Sequence, residues 1–127
     1  MFPSEIVAVA CGGALGASLR FAVGRFCETT WAAARFPIAT LFVNLLGCFI
    51  IGVIAALSLR SEVPTLLRLF LVTGILGGFT TFSAFGLESV SLLRAGHFLE
   101  AFTYVVGSVV GGCAATMLGI LLVAPKS

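Results

Sequence analysis

Charged side chains are scarce in this chain of 127 residues. Asp, Glu, Lys and Arg together make up only 9% of the residues, whereas hydrophobic residues make up 60%. Soluble domains carry about 25% charged residues, and a soluble fold this short would leave much of its surface in water. The shortage of charge therefore excludes an ordinary soluble domain and indicates that lipid surrounds the chain.

Metal-binding and catalytic groups are equally scarce. The chain has a single histidine, His97, and four cysteines that are scattered without a CxxC pair. A structural or catalytic metal site of the His/Cys type needs clustered ligands, and acid–base catalysis needs a constellation of titratable groups. The sequence therefore predicts no such metal site and no enzyme, and we expect no nucleic-acid partner.

Long apolar runs make up most of what is present. A transmembrane helix needs about 20 apolar residues, and four runs meet this need: 6–24, 38–59, 69–87 and 101–125. Only the first contains a charge, Arg20, whose long side chain can reach the headgroups or a wet cavity. We predict an all-α integral membrane protein with four transmembrane helices in one domain, residues 1–127.

The basic residues are divided almost evenly between the two sides of the membrane. With four spans, Arg60, Arg68 and Lys126 fall on the side of the termini, and Arg25, Arg35 and Arg94 fall on the other, where Arg20 adds a fourth. An excess of Lys and Arg normally fixes which side is cytoplasmic. The near balance predicts dual topology and an antiparallel homodimer, unless a weak bias or Arg20 alone fixes one orientation.

Small residues recur four positions apart in three of the spans. Such spacings let helix backbones approach in lipid, and they are Gly12 with Gly16, Gly13 with Ala17, Gly74 with Gly78, Gly107 with Gly111, and Ser108 with Gly112. They predict close helix packing, either within one chain or between two.

The third run contains poor helix formers at its middle. Gly77-Gly78 is followed by Thr80-Thr81, and both glycine and β-branched threonine disfavour a helix. A break at that depth must be buried in protein or line a cavity, and membrane proteins use such breaks to bind ions. The alternative is a continuous helix packed through its glycines.

Two phenylalanines follow this predicted break. Phe82 and Phe85 are three residues apart, so they lie on neighbouring parts of one helix face. The edge of an aromatic ring is positive and can contact an anion. Ordinary packing against lipid or protein is the alternative interpretation.

Polar residues in the other spans are few and aligned. Thr40 and Asn44 are one turn apart in the second span, while Tyr104, Ser108 and Thr116 follow one track in the fourth. Their amide and hydroxyl hydrogens could bind an anion or join helices.

Glu88 directly follows the third apolar run, and we expect it to be the only carboxylate well inside the membrane. An ionisable residue there indicates a functional site. It could instead lie near the interface, paired with an arginine such as Arg20.

Three motifs together resemble the fluoride channels of the Fluc (CrcB) family. They are Gly77-Gly78-Phe79-Thr80-Thr81-Phe82-Ser83-Ala84-Phe85 with Glu88 after it, Thr40-Leu41-Phe42-Val43-Asn44, and Gly16-Ala17-Ser18-Leu19-Arg20. The similarity covers nearly the whole chain in length, number of helices and order of motifs.

The resemblance implies a dual-topology homodimer with two pores for passive fluoride efflux from a microbial plasma membrane. It implies a pore lined by Asn44, Phe82, Phe85 and a polar track, to which Ser83, Tyr104, Ser108 and Thr116 belong. It also implies a central sodium ion held by the carbonyls of Gly77 and Thr80. Glu88 matches a common acidic position. Three residues depart from the resemblance: Ala39 stands where relatives often carry Gly, Ala84 where they often carry Thr or Ser, and Gly112 where they often carry Ser.

Two other functions fit the size of the chain. A small proton-coupled drug exporter needs a central titratable carboxylate, for which the candidates are Glu88 and, at the very edge of the first span, Glu5. A membrane scaffold subunit would move no ion at all.

Overall fold

The computed structural model describes residues 2–60 and 62–123, and that part of the chain is helical apart from its connections. The elements are α1 (Phe2–Thr30), α2 (Ile38–Leu59), α3 (Thr65–Arg68), a π-helix (Leu69–Leu76), α4 (Gly77–Phe79), α5 (Phe82–Arg94) and α6 (Phe98–Val123). The elements from Thr65 to Arg94 together form the third span. Within these described residues, four spans are long and apolar enough to cross a membrane, which confirms the prediction. Ala124 and Pro125 of the predicted fourth span, and Lys126, lie outside the described residues.

The first helix is longer than its apolar run. α1 has 29 residues, about 43 Å at 1.5 Å per residue, whereas a hydrocarbon core is about 30 Å thick. The helix continues beyond Gly24 because nothing in the sequence stops it there, and Arg25 pairs with Glu28 at 3.6 Å one turn later. The apolar run therefore marks the part that can lie in hydrocarbon, not the ends of the helix.

A tight turn joins α5 to α6. Gly96 has a φ of 82°, a left-handed conformation that favours glycine. The N–H of Gly96 donates to Leu93 O at 3.0 Å and the N–H of His97 to Leu92 O at 2.9 Å. These two bonds end α5 and let α6 begin at once beside it.

The helices pack as two pairs, α1 with the first half of the third span and α2 with α6. A Cβ on Gly12 would lie 2.9 Å from Gly74 Cα, and one on Gly78 would lie 2.6 Å from Gly13 O. A Cβ on Gly16 would collide with the carbonyl of Ile75. The small-residue prediction for these two spans is therefore confirmed, and the contact is within one chain.

The pair formed by α2 and α6 packs through two glycines, Gly52 and Gly119, that were not among the predicted pairs. A Cβ on Gly52 would collide with Thr116 O, and one on Gly119 with Phe49 O. Gly107 meets nothing within 4 Å, and Gly111 meets only the side chain of Leu45. Gly52 stands four residues before Ala56, and Gly119 four residues after Ala115, so both have the small-residue spacing although neither was among the pairs predicted.

Candidate functional site

The third span is broken at Thr80 and Thr81. α4 ends at Phe79, Thr80 has φ −90° and ψ 160°, and Thr81 has φ −154° and ψ 123°, both extended. The break lies near the middle of the span from Thr65 to Arg94, so the predicted interruption is confirmed and a continuous helix is ruled out. The π-helix that precedes the break also departs from regular α-helix, because its turns are wider. The sequence did not predict it.

The side chain of Asn44, on α2, hydrogen-bonds to the backbone at this break. Its Nδ2 donates to Thr81 O at 3.1 Å, and its Oδ1 accepts from the Thr81 N–H at 2.9 Å. The Thr81 N–H would donate to Gly77 O in a continuous helix, so the Gly77 carbonyl loses its ordinary partner. The Asn44 amide thus pairs both backbone groups of Thr81 and leaves the Gly77 carbonyl free.

The side chain of Arg20, on α1, hydrogen-bonds to the backbone just before the break. Its Nε donates to Gly78 O at 3.0 Å in a half-buried contact. The guanidinium has five N–H donors, and this contact uses the one on Nε. Arg20 therefore fixes the backbone and keeps a positive charge beside the break.

The hydroxyls of the two threonines complete the local structure. Thr80 Oγ1 donates to Leu76 O at 2.8 Å, and Thr81 Oγ1 accepts from the Ala84 N–H at 3.2 Å as the N-cap of α5. Ser83 Oγ lies 3.2 Å from Thr81 Oγ1. The N-cap explains why the helix restarts immediately after two extended residues.

Glu88 lies between two hydroxyl donors, with no ion pair to an arginine in the described part of the chain. Thr40 Oγ1 donates to Oε2 at 3.0 Å, and the Tyr104 hydroxyl donates to Oε1 at 3.3 Å. Tyr104 is fully buried and its ring centroid lies 5.1 Å from that of Phe85. Helices α2, α5 and α6 therefore meet at this carboxylate, and Arg20 contacts the Gly78 carbonyl instead.

Phe82 and Phe85 are neighbours with different surroundings. Their ring centroids are 5.6 Å apart with planes inclined by 34°. Phe85 is half-buried against Tyr104, whereas the side chain of Phe82 is 84% exposed. Only one of the two rings is therefore packed within the chain.

Two cavities lie against the break. One, of about 460 Å³, is lined by Arg20, Thr40, Thr81 and Glu88 among others and extends towards the connection between α1 and α2. The second, of about 400 Å³, is lined by residues of the break and of the facing helices, including Asn44, Gly77, Thr80, Thr81, Phe82, Phe85 and Ser108. Thr81 lines both, so the clamp formed by Asn44 and Thr81 stands at the boundary between them.

The three polar residues predicted to form one track on α6 have different surroundings. Ser108 lines the second cavity, and its Oγ is buried with no hydrogen-bond partner within residues 2–60 and 62–123. Tyr104 binds Glu88, and Thr116 lies outside both cavities, where its hydroxyl donates to Cys48 O and Gly112 O at 3.0 Å. Thr116 therefore joins α6 to α2.

The chain matches the family described as CrcB-like protein, Camphor Resistance (CrcB), over residues 7–120. It is 50% identical over 122 residues to the "Fluoride-specific ion channel FluC" of Chloroflexus aurantiacus, with 92% of this chain and 93% of that protein covered. Proteins of the same name from Azotobacter vinelandii and Helicobacter acinonychis are 47% and 41% identical, covering 91% and 89% of this chain and 94% and 90% of those proteins. This chain belongs to the CrcB family. The resemblance inferred from its motifs is confirmed.

Thr81 is the residue of this CrcB chain that sequence reasoning did not single out. It receives both bonds from Asn44 and lines both cavities. A break was expected at Thr80-Thr81, but nothing in the sequence said which of the two threonines would meet Asn44. The contact of Arg20 with Gly78 O was also missed, although Arg20 stood out as the only charge in its span.

Proposed function

We propose that this chain is a fluoride-selective ion channel that passes fluoride down its electrochemical gradient, without ATP or proton coupling. Its membership of the CrcB family, with relatives named as fluoride-specific channels, supports this function. The observation that carries the proposal is the clamp between Asn44 and Thr81, where two cavities meet at the broken span. Because hydrogen fluoride enters cells as a neutral acid and dissociates inside, such a leak relieves fluoride toxicity at the plasma membrane.

The first cavity is open to an anion, because two arginines, Arg20 and Arg25, balance its two carboxylates, Glu28 and Glu88. Arg20 brings a permanent positive charge to its lining, while Glu88 is engaged by the hydroxyls of Thr40 and Tyr104. Those hydrogen bonds spread the negative charge of the carboxylate, and Arg20 offsets it. Fluoride enters from this side and reaches Thr81.

The second cavity is suited to replace water around fluoride. A selective pore must supply donors in place of the hydration shell. Asn44 uses one of its two amide hydrogens on Thr81 O and keeps the other, and the Ser108 hydroxyl has no partner in the described chain. The ring edges of Phe82 and Phe85 are positive, so they can contact an anion and do not attract cations.

A second copy of the chain completes this pathway. Phe82 is 84% exposed beside the second cavity, and an antiparallel partner across the break would cover it. The nearly even division of basic residues supports two opposite insertions. The working unit is therefore an antiparallel homodimer with one pathway for each copy.

The backbone at the break also fits a sodium ion. Gly77 and Thr80 line the second cavity, the carbonyl of Gly77 has lost its helical donor, and that of Thr80 lies in the extended link. Hard cations take oxygen ligands of this kind. Two carbonyls from each copy would hold the ion between them, and its charge would lower the cost of bringing an anion into the membrane.

Fluoride efflux from liposomes tests the proposed function. Purified protein should release fluoride, read by an electrode after a potassium ionophore is added, and should not release chloride. Phe82→Ile combined with Phe85→Ile should abolish the release, whereas Phe98→Ile, at another exposed phenylalanine that lies outside both cavities, should not. No fluoride release from folded, dimeric protein contradicts the proposal.

The proton-coupled exporter predicts the opposite result. In that class Glu88→Gln abolishes transport of a substrate driven by a proton gradient, and the phenylalanine changes are harmless. Measuring both variants in the same liposomes separates the two functions.

A further inference from the structure

A third cavity lies at the other end of the spans, away from Arg20 and Glu88. It has a volume of about 760 Å³ and opens between the end of α2 and the start of the third span. Ile51, Ala55, Leu59 and Val72 give it an apolar wall, and Arg68 stands at its outer end. The proposed passage of fluoride makes no use of its outer part, around Leu59, Thr65 and Arg68.

Arg68 is a charge without a counter-ion in the described part of the chain. The neighbouring Arg60 pairs with Glu62 at 2.9 Å and donates to Val123 O at 3.2 Å, so that carboxylate is already engaged. The Thr65 hydroxyl also lines the cavity beside Arg68. The outer end of the groove therefore offers a guanidinium and a hydroxyl, a combination that binds phosphate oxygens.

The length of the groove matches one leaflet of a bilayer. Ile51 and Leu59 are eight residues apart on α2, about 12 Å along the helix. Half of a hydrocarbon core is about 15 Å thick. Its inner end reaches Ile51 and Val72, which also line the second cavity at the break. An acyl chain lying along this wall would place its headgroup at Arg68.

A second copy of this chain is a poorer match for Arg68. An antiparallel copy would bring the opposite end of its spans to this level of the membrane. The acidic residues there are already paired, Glu28 with Arg25 at 3.6 Å and Glu100 with Arg35 at 3.3 Å. These two paired carboxylates are therefore not free to bind Arg68, whereas an anionic lipid supplies a phosphate.

We propose that this groove binds an anionic phospholipid, with its phosphate on Arg68 and Thr65 and one acyl chain against Ile51, Ala55 and Val72. The lipid occupies the place between α2 and the third span where the helices leave an apolar gap. It thereby supports the first half of the broken span.

Native mass spectrometry of the purified full chain with added phosphatidylglycerol tests this site. The wild type should retain the lipid, and Arg68→Gln should weaken retention about fivefold, the effect of one basic residue near an anionic headgroup. Arg94→Gln removes an arginine from the other end of the same span, outside the groove, and should have no effect. Arg68→Lys should restore most of the retention.

Two further arms identify the occupant. Ala55→Phe fills the apolar wall and should reduce retention of phosphatidylglycerol while leaving the dimer signal intact. Inorganic phosphate at equal concentration should not displace the lipid, because it lacks the acyl chain. Equal retention by wild type and Arg68→Gln overturns the proposal, as does equal retention of phosphatidylcholine, displacement by phosphate, or lipid loss that occurs only when the dimer dissociates.

Discussion

The two halves of the third span are held in place in different ways. The first half lies against α1, backbone to backbone, through Gly12, Gly16, Gly74 and Gly78. The second half is held by side chains from other helices, with Asn44 at its start and Tyr104 at Glu88. The glycine contacts bring two backbones together, whereas the side-chain hydrogen bonds place donors and charges at a cavity. The first half thus gives the fold its stability, and the second carries the candidate site.

The largest effect should come from adding a side chain to the glycine contact. Gly16→Val places a Cβ against the carbonyl of Ile75, and backbone cannot move aside as a side chain can. We expect a loss of about 3 kcal/mol or more in unfolding free energy, the upper range for overpacking. Thermal unfolding and the fraction of monodisperse protein in detergent measure it.

Gly13→Ala is the matched control on the same helix, because a Cβ there meets nothing within 4 Å. It should leave unfolding within about 0.5 kcal/mol of wild type, as surface changes do. If Gly16→Val unfolds like wild type, the first half of the span is not held by this contact.

Removal of the Asn44 side chain should have the next largest effect, and it should act on fluoride passage as well as on stability. Asn44→Ala leaves both the N–H and the C=O of Thr81 without partners, at about 1 kcal/mol for each, the lower end of the cost of an unpaired group, because the site is half-buried. Asn44→Asp can still accept from the N–H but cannot donate to the C=O. Fluoride efflux should therefore fall strongly in both variants, and stability should fall further in Asn44→Ala.

Leu46→Ala, at an exposed position on the same helix, controls for a general effect of altering α2. Wild-type efflux in Asn44→Ala would mean that the clamp at Thr81 is structural only.

The difference between the halves was partly predictable from sequence. Four spans and the break follow from hydropathy and from Gly77-Gly78 before Thr80-Thr81, since both are local properties of the chain. The clamp by Asn44 and the contact of Arg20 with Gly78 O join residues 37 and 58 positions apart, and no local rule identifies such partners. The π-helix was also unforeseen, because Leu69–Leu76 reads as an ordinary apolar helix.

A smaller effect is expected at Glu88, where the second half meets α6. Tyr104→Phe removes the hydroxyl that donates to Oε1 at 3.3 Å but keeps the ring against Phe85. We expect a loss of about 1.5 kcal/mol, the lower range for hydrogen bonds to charged groups. Chemical unfolding of the purified protein measures it.

A double-mutant cycle with Thr40→Val shows whether the two hydroxyls share the carboxylate. Because both donate to Glu88, the two losses should not add, with a coupling of about 0.5 kcal/mol or more. Strict additivity would mean that the two contacts act independently.

The smallest effect should come from the two hydroxyls of α6 that the sequence placed on one polar track. Ser108 Oγ has no partner in the described chain and lies at the second cavity, so Ser108→Ala should slow fluoride efflux with little change in stability. Thr116 Oγ1 bonds to Cys48 O outside both cavities, so Thr116→Val should cost about 1 kcal/mol and leave efflux unchanged. Efflux and unfolding should be measured for both variants. The comparison tests whether a pore residue is one whose hydroxyl is free at a cavity, or any residue of the polar track. If Thr116→Val slows efflux as much as Ser108→Ala does, fluoride follows the whole track, and the pathway extends beyond the two cavities at the break.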